Sequence, residues 1–233
     1  MSEKHKAARV EWAKQNSNQD FDRVVAIDSS IQRAPWQHDS NHRRWQAASQ
    51  ERRSVEVHKH PNQLHVYGAV CSKGASSLVE VTGTTGIKPF KDKTVRGVTA
   101  EEYIEVIDNL IVPFGNACYP GESWTVLEDG ASVHKSKVVV RHWATQHPHV
   151  HVLGTAPCSP DLNPIENCWG MLQSSRAGLP MHTMLQLRTS VHLEWQKLGQ
   201  NQELMQRLFA GMPGRLQTTI DLQGGHIERN IYT

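Results

Sequence analysis

VHVLGTAPCSPDLNPIENCWGML, from Val150 to Leu172, is the stretch on which the reading of this chain turns. Its first four residues read as a short buried strand. Asn163-Pro164-Ile165-Glu166 then spells a helix start. Asn is a preferred N-cap, Pro fits the first helical position, and a Glu three residues after the cap can close a capping box. A carboxylate is thereby delivered in the first turn of a helix that follows a strand, its side chain tilted back toward the strand ends. Asp129 closes a second apolar strand, WTVLED, with 36 positions between it and Glu166. Asp28 closes a third apolar run, Val24-Val25-Ala26-Ile27. Three acids so placed make the all-oxygen donor set that divalent-metal phosphoryl transfer needs.

Each acid also has a plainer reading. Glu166 can be a capping glutamate and no more. Asp28 can be a turn residue at a strand end. Asp161, with 31 positions between it and Asp129, competes for third place, although its Pro-constrained loop suits a turn former. Glu128 and Asp129 point to opposite faces of a strand, so at most one of them faces a shared site.

Four stretches carry a family resemblance in order and spacing: VVAIDSS (24–30), HVYGAVCSKGASSLVEVTG (65–83), TVLEDGASVHKS (125–136) and CSPDLNPIENCWGMLQ (158–173). Together they resemble the catalytic domain of mariner-like (Tc-type) DDE transposases, a branch of the RNase H-like and integrase superfamily. The likeness runs from about Lys4 to the C-terminus, and SPDLNPIENCW is its specific signal. It implies an α/β, RNase H-like mixed sheet flanked by helices, with a C-terminal helical extension. It implies that Asp28, Asp129 and Glu166 are catalytic and hold two divalent cations, Mg²⁺ or Mn²⁺. Asp28 would bridge the two ions, with Asp129 and Glu166 each holding mainly one. The activity implied is metal-dependent DNA strand cleavage and strand transfer, the chemistry of transposition and integration. The chain departs from the family pattern at Ser29, where an acid is common, at Gly130, where Asn is common, and at Thr155-Ala156, where Trp-Pro is common. These departures leave an alternative: a catalytically silent or repurposed remnant that binds DNA or protein.

Composition sets wider bounds. A chain of 233 residues makes one large domain or two small ones, with a substantial core. A formal net charge of +2 and a pI near 8.4 are mildly basic, so any DNA-binding surface has to be local. The absence of a secretory signal and of any apolar run of transmembrane length implies an intracellular protein with no membrane partner, nuclear in a eukaryote. Cys71, Cys118, Cys158 and Cys168 form no metal-type CxxC pair and read as free thiols.

Along the chain, the pattern predicts a polar helix over 4–16 with a stripe of Ala8, Val10 and Trp12, then a polar loop over 31–63. Leu64–Cys71 and Ser76–Val81 read as a hairpin. Thr99-Ala100-Glu101-Glu102 is a capping box that opens a helix to about Ile111. Strand 124–128, helix 135–146, strand 150–154 and helix 164–174 follow, with further helices near 182–198 and 201–211. The alternation suggests a mixed sheet with helices on both faces. Residues 1–20 are expected to form a linker helix and 21–233 the DDE domain, its helical extension starting at about 180.

Other candidates surround the acids. His134 lies five residues after Asp129, where the family commonly has a His that orients substrate or a ligand. Lys135, Lys137 and Arg141, near the start of the next helix, can meet DNA phosphates or form a solvated face. Arg43 and Arg44, with Trp36 and Trp45, lie in the polar loop; in the family, a loop here helps pair subunits, so contacts to DNA or to a second copy are expected. His147, His149 and His151 alternate at strand period, a pattern that does not by itself make a zinc site. Trp169 shares a helix face with Ile165 and Leu172 and reads as core. Family members carry N-terminal helix-turn-helix modules, whereas 27 residues precede Asp28. The expected partners are therefore DNA, a second copy forming a homodimer, and a full-length transposase or separate helix-turn-helix chain for targeting.

Overall fold

The computed structural model describes residues 1–34, 62–81, 98–179, 181 and 183–227. Among them, six strands form one mixed sheet: β1 (Val24–Arg33), β2 (Gln63–Cys71), β3 (Gly74–Ala75), β4 (Val79–Glu80), β5 (Trp124–Glu128) and β6 (Val150–Gly154). Their order is β3-β2-β1-β5-β6, with β4 also paired to β2. β2 runs antiparallel to β1, whereas β5 and β6 run parallel to it. Val24 to Ile27 are at most 1% exposed, because a strand covered on both faces needs apolar residues without alternation.

The helices are α1 (Glu3–Gln15), α2 (Ala100–Val106), α3 (Val112–Cys118), α4 (Lys137–Gln146), α5 (Pro164–Ser175), α6 (Met184–Gln200), α7 (Gln202–Ala210) and α8 (Met212–Asp221). Val24, Ala26, Val66 and Leu127 share one core with Ile165, Trp169 and Leu172 of α5 and Val191 and Trp195 of α6. Val25, Ile27, Ala69 and Val126 share the other with Tyr103, Ile107, Val139 and Trp143. The Trp169 and Trp195 rings stack 4.5 Å apart. They close over Gly68, where a Cβ would lie 2.9 Å from Trp195 and 3.0 Å from Trp169. Gly68 is the β2 residue opposite Asp28, so the missing side chain lets the α5–α6 layer settle beside that acid.

Several elements differ from the sequence expectation. β1 continues past Asp28 to Arg33, because β2 supplies pairing partners as far as Gln63. The hairpin's return strand is broken: Ser76 gives its carbonyl to Trp195 Nε1 (2.7 Å), and its hydroxyl accepts the Ala69 N–H (3.0 Å) instead. The helix expected to stop near Ile111 runs on to Cys118 through a π-helical turn, Ile107–Ile111. Pro113 has no N–H to donate, and widening the turn carries the helix past it. α8 has no counterpart in the expected elements. Gly211-Met212-Pro213-Gly214 reads as a breaker, yet a proline in the first turn forfeits only an N–H that has no intrahelical partner. In α1 the buried residues are Arg9 and Ala13 rather than an Ala8–Val10–Trp12 stripe. No helix among the described residues is long and apolar enough to cross a membrane.

Candidate active site

The parallel β1–β5 pairing sets Val24 opposite Thr125 and Ala26 opposite Leu127. Carried two residues on, the same offset puts Asp28 level with Asp129 and on the same face, since side chains alternate with period two. Ile27 and Glu128 take the opposite face, where the Tyr103 hydroxyl donates to Glu128 Oε2 at 2.6 Å. Asn163 completes the arrangement. Its Oδ1 accepts the Ile165 N–H (3.3 Å) and caps α5, while its Nδ2 donates to the Ile27 carbonyl (3.2 Å). One buried side chain thus ties the helix start to the strand a single residue before Asp28. Glu166, in the first turn of α5, lines a cavity of about 430 Å³ with Asp28 and Asp129. Gly130, Lys135, Asn163 and the segment Thr155–Pro160 complete the wall.

The three carboxylates sit in different fields. Burial, then the Glu166 charge, push the Asp28 carboxyl up to about 7, with Asp129 adding to the rise. Asp129 is held below the usual carboxylate range, chiefly by the hydrogen bond from His134. His134 Nδ1 lies 2.8 Å from Asp129 Oδ1 and 3.1 Å from its backbone oxygen, and the Ala131 N–H reaches the same Oδ1 at 2.9 Å. Burial disfavours protonation of His134, but the Asp129 bond and the Glu128 charge outweigh it and raise its pKa. The Tyr103 ring packs 4.4 Å from the imidazole and fixes its plane. His134 therefore stands behind Asp129 and orients it.

The remaining candidates separate. Lys135 lines the cavity; Lys137 and Arg141 are exposed on α4 and do not line it. Arg43, Arg44, Trp36 and Trp45 lie outside the described residues. Asp161 is turned away into a bidentate pair with Arg9, at 2.7 and 2.6 Å. Trp169 is core, as its helix face implied. The second bond of Asn163 and the Tyr103–Glu128–His134 support were not visible in the sequence, because their partners are remote in it.

Residues 23–188 match the family model described as DDE superfamily endonuclease. The chain belongs to that family. It is 26% identical to the transposable element Tcb1 transposase of Caenorhabditis briggsae over 96% of its own length and 78% of the relative's. It is 24% identical to the Tc1 transposase of Caenorhabditis elegans over the same shares. Among solved structures, the Mos1 mariner transposase catalytic domain superposes with a TM-score of 0.69 at 15% identity, covering 98% of both chains. The chain in the Mos1 mariner paired end complex with Mn superposes with a TM-score of 0.75 at 15% identity; this chain spans 98% of its own length and 65% of that one. The RNase H-like fold follows from these superpositions.

In this DDE endonuclease chain a buried arginine holds the loop that leads to Glu166. Arg9 is fully buried and donates to Ser159 Oγ (2.8 Å), the Cys158 carbonyl (3.3 Å) and both Asp161 oxygens. It also reaches the carbonyls of Gly224 (2.9 Å) and Gly225 (3.0 Å). Gly224 has φ of +83°, and a Cβ there would collide with the Lys6 backbone. Helix α1, the 158–161 loop and the segment after α8 are thus closed around one guanidinium.

Proposed function

We propose that this chain is a catalytic domain for metal-dependent DNA strand cleavage and strand transfer, with Asp28, Asp129 and Glu166 holding two divalent cations, Mg²⁺ or Mn²⁺. The observation that carries the reading is the convergence of three carboxylates on one cavity, where burial and then the neighbouring acids raise Asp28 to about 7. Such a set is short of positive charge, and its hard oxygen donors suit Mg²⁺ and Mn²⁺. The similar Mos1 mariner paired end complex has been solved with Mn and with Mg, which supports the same choice. When bound, a pair of such ions lowers the pKa of an attacking water or 3′-hydroxyl and stabilises the leaving oxygen.

The protein's own residues do the rest. His134 and the Ala131 N–H fix the rotation of Asp129 through Oδ1, leaving Oδ2 as its donor to a cation. Asn163 sets the distance between Glu166 and Asp28. Lys135, on the cavity wall, supplies a point charge for a substrate phosphate, and Lys137 and Arg141 extend that charge along α4. The domain division at about residue 20, pairing with a second copy, help from a helix-turn-helix chain and residence with nuclear DNA in a eukaryote belong to the same proposal. DNA binding by the chain alone should be sequence-tolerant and steeply salt-dependent, since phosphate contacts dominate it.

The test is nicking of supercoiled plasmid, with and without a helix-turn-helix partner. Cleavage is expected with Mg²⁺ or Mn²⁺ and not with Ca²⁺, whose larger and looser shell positions a nucleophile poorly. Folded protein inert under every one of these conditions would overturn the enzyme reading and leave the repurposed one.

A further inference from the structure

We propose that Asp108, His142 and His147 form a second cation site, selective for a borderline transition ion of the zinc type. It lies at the opposite end of the sheet from the acids. Asp108 sits in the π-helical turn, His142 on α4, and His147 caps the C-terminus of α4. His142 Nε2 lies 2.8 Å and His147 Nε2 2.9 Å from the same oxygen, Asp108 Oδ1. All three donor atoms lie within 4.8 Å of one another.

Both imidazole nitrogens meet one carboxylate oxygen at hydrogen-bond distance, so the three donor atoms are already gathered around a single point. A tetrahedral ion bonded at about 2.0–2.1 Å holds its donors about 3.3 Å apart, so each ring needs to withdraw by only about half an ångström. The His147 ring is already braced edge-on, by Trp143 at 5.8 Å and by His149 at 6.3 Å. His149 is itself engaged with Asn116 Oδ1 at 3.0 Å. Both histidines are largely shielded while the carboxylate opens to solvent, where water completes the coordination.

Ligand chemistry separates this site from the acid cavity. Imidazole suits zinc, nickel, cobalt and copper, whereas an all-carboxylate set suits magnesium and manganese. Separation in space is equally clear: His147 precedes the start of β6, and Glu128, next to Asp129, pairs with the last residue of that strand. The two sites stand about 13 Å of strand apart. A bound ion would clamp the π turn to the end of α4, stiffening the layer that carries Tyr103 beneath His134.

The test is calorimetric titration with Zn²⁺ in millimolar Mg²⁺, on wild type and on an Asp28→Asn/Asp129→Asn variant that disarms the acid cavity. One equivalent should bind both proteins. His147→Gln and Asp108→Asn, each folded by circular dichroism, should weaken binding at least about tenfold. At a free Zn²⁺ concentration about a hundred times Kd, wild type should gain roughly 5–10 °C in Tm and His147→Gln almost nothing. Cobalt should add a visible tetrahedral spectrum that only the His147 and Asp108 variants lose. Zinc uptake untouched by those two substitutions, or removed by disarming the acid cavity, would overturn the proposal. So would an absence of uptake at all.

Discussion

Asp28 and Asp161 are both substantially buried aspartates, and their acidities move in opposite directions. Burial and the Glu166 charge drive Asp28 up to about 7. Burial also pushes Asp161 upward, but the Arg9 fork outweighs it and leaves the carboxyl below its ordinary range. The difference lies in where the counter-charge comes from. Asp161 has its cation within the chain, 152 residues away in sequence. Asp28 has acids for neighbours. One carboxylate is neutralised within the fold; the other keeps acids for neighbours.

The largest expected effect breaks the comparison at its functional end. On the proposed function, Asp129→Asn removes a metal-binding charge at nearly constant shape, and plasmid nicking should fall at least about 10³-fold, roughly 4 kcal/mol of barrier. Asp161→Asn should retain cleavage when assayed well below its own melting temperature. A folded Asp161→Asn protein that cannot cleave would move Asp161 into the site and dissolve the contrast.

Stability comes next. Arg9→Met leaves Asp161 buried without its partner and strips donors from the Gly224 and Gly225 carbonyls. Breaking a buried pair from one side should destabilise by about 3–5 kcal/mol, read as a shift of the urea midpoint. Adding Asp161→Leu should restore part of that loss, since the uncompensated charge goes with it. A single variant as stable as wild type would show that the fork is ornamental.

These two aspartates also mark what the sequence can and cannot convey. Asp129 and the Asn163-Pro164-Ile165-Glu166 start were legible because each ends or begins an element, and element ends carry local signals. Asp28 was legible as the first acid after an apolar run, although β1 continues past it to Arg33. The packing role of Trp169 was legible from helical spacing. Arg9 was not, because a buried charge on a polar helix leaves no periodic trace when its partner is remote. Nor was the approach of Cys71 Sγ to within 3.4 Å of Cys118 Sγ, which joins β2 to α3 across a gap in sequence. The Asp108–His142–His147 cluster escaped for a related reason. The visible pattern was the alternation of His147, His149 and His151, whereas the true neighbours lie on two helical segments.

pH sharpens the comparison further. A carboxyl with pKa 3.8 when unfolded and about 7 when folded holds its proton more tightly in the native state. Its contribution to stability is therefore complete below about pH 4 and is lost as pH rises toward 7. Asp28→Asn abolishes that loss. In metal-free protein the variant should match wild type near pH 4 and exceed it by on the order of 3–4 kcal/mol above pH 7. Asp161→Asn should show the reverse trend, its deficit shrinking as acid protonates the wild-type carboxylate. Urea titrations at pH 4 and pH 8 test Asp28→Asn, and one at about pH 2.5 is added for Asp161→Asn, whose wild-type carboxylate is still ionised at pH 4. An Asp28→Asn advantage equal at pH 4 and pH 8 would mean that neither the burial of the charge nor its acidic neighbours are the source.

The smallest effect concerns the loop between the two aspartates. Cys158 lines the acid cavity, and its carbonyl is held by Arg9. It adopts φ of 54°, a left-handed conformation that sets Cβ too close to the following carbonyl, at a cost of roughly 1–2 kcal/mol for a non-glycine residue. Glycine removes that strain but gives the unfolded chain more freedom, which returns about 0.5–1 kcal/mol. Cys158→Gly should therefore stabilise by about 0.5–1 kcal/mol, or roughly 1–4 °C in Tm. Cys158→Ala keeps the same Cβ and should gain nothing. If the gain in Cys158→Gly survives when Arg9→Met is also present, the strain is intrinsic to the turn. If it disappears, the grip of Arg9 on the Cys158 carbonyl imposes the strain, and the partner of Asp161 is shaping the wall of the cavity that Asp28 lines.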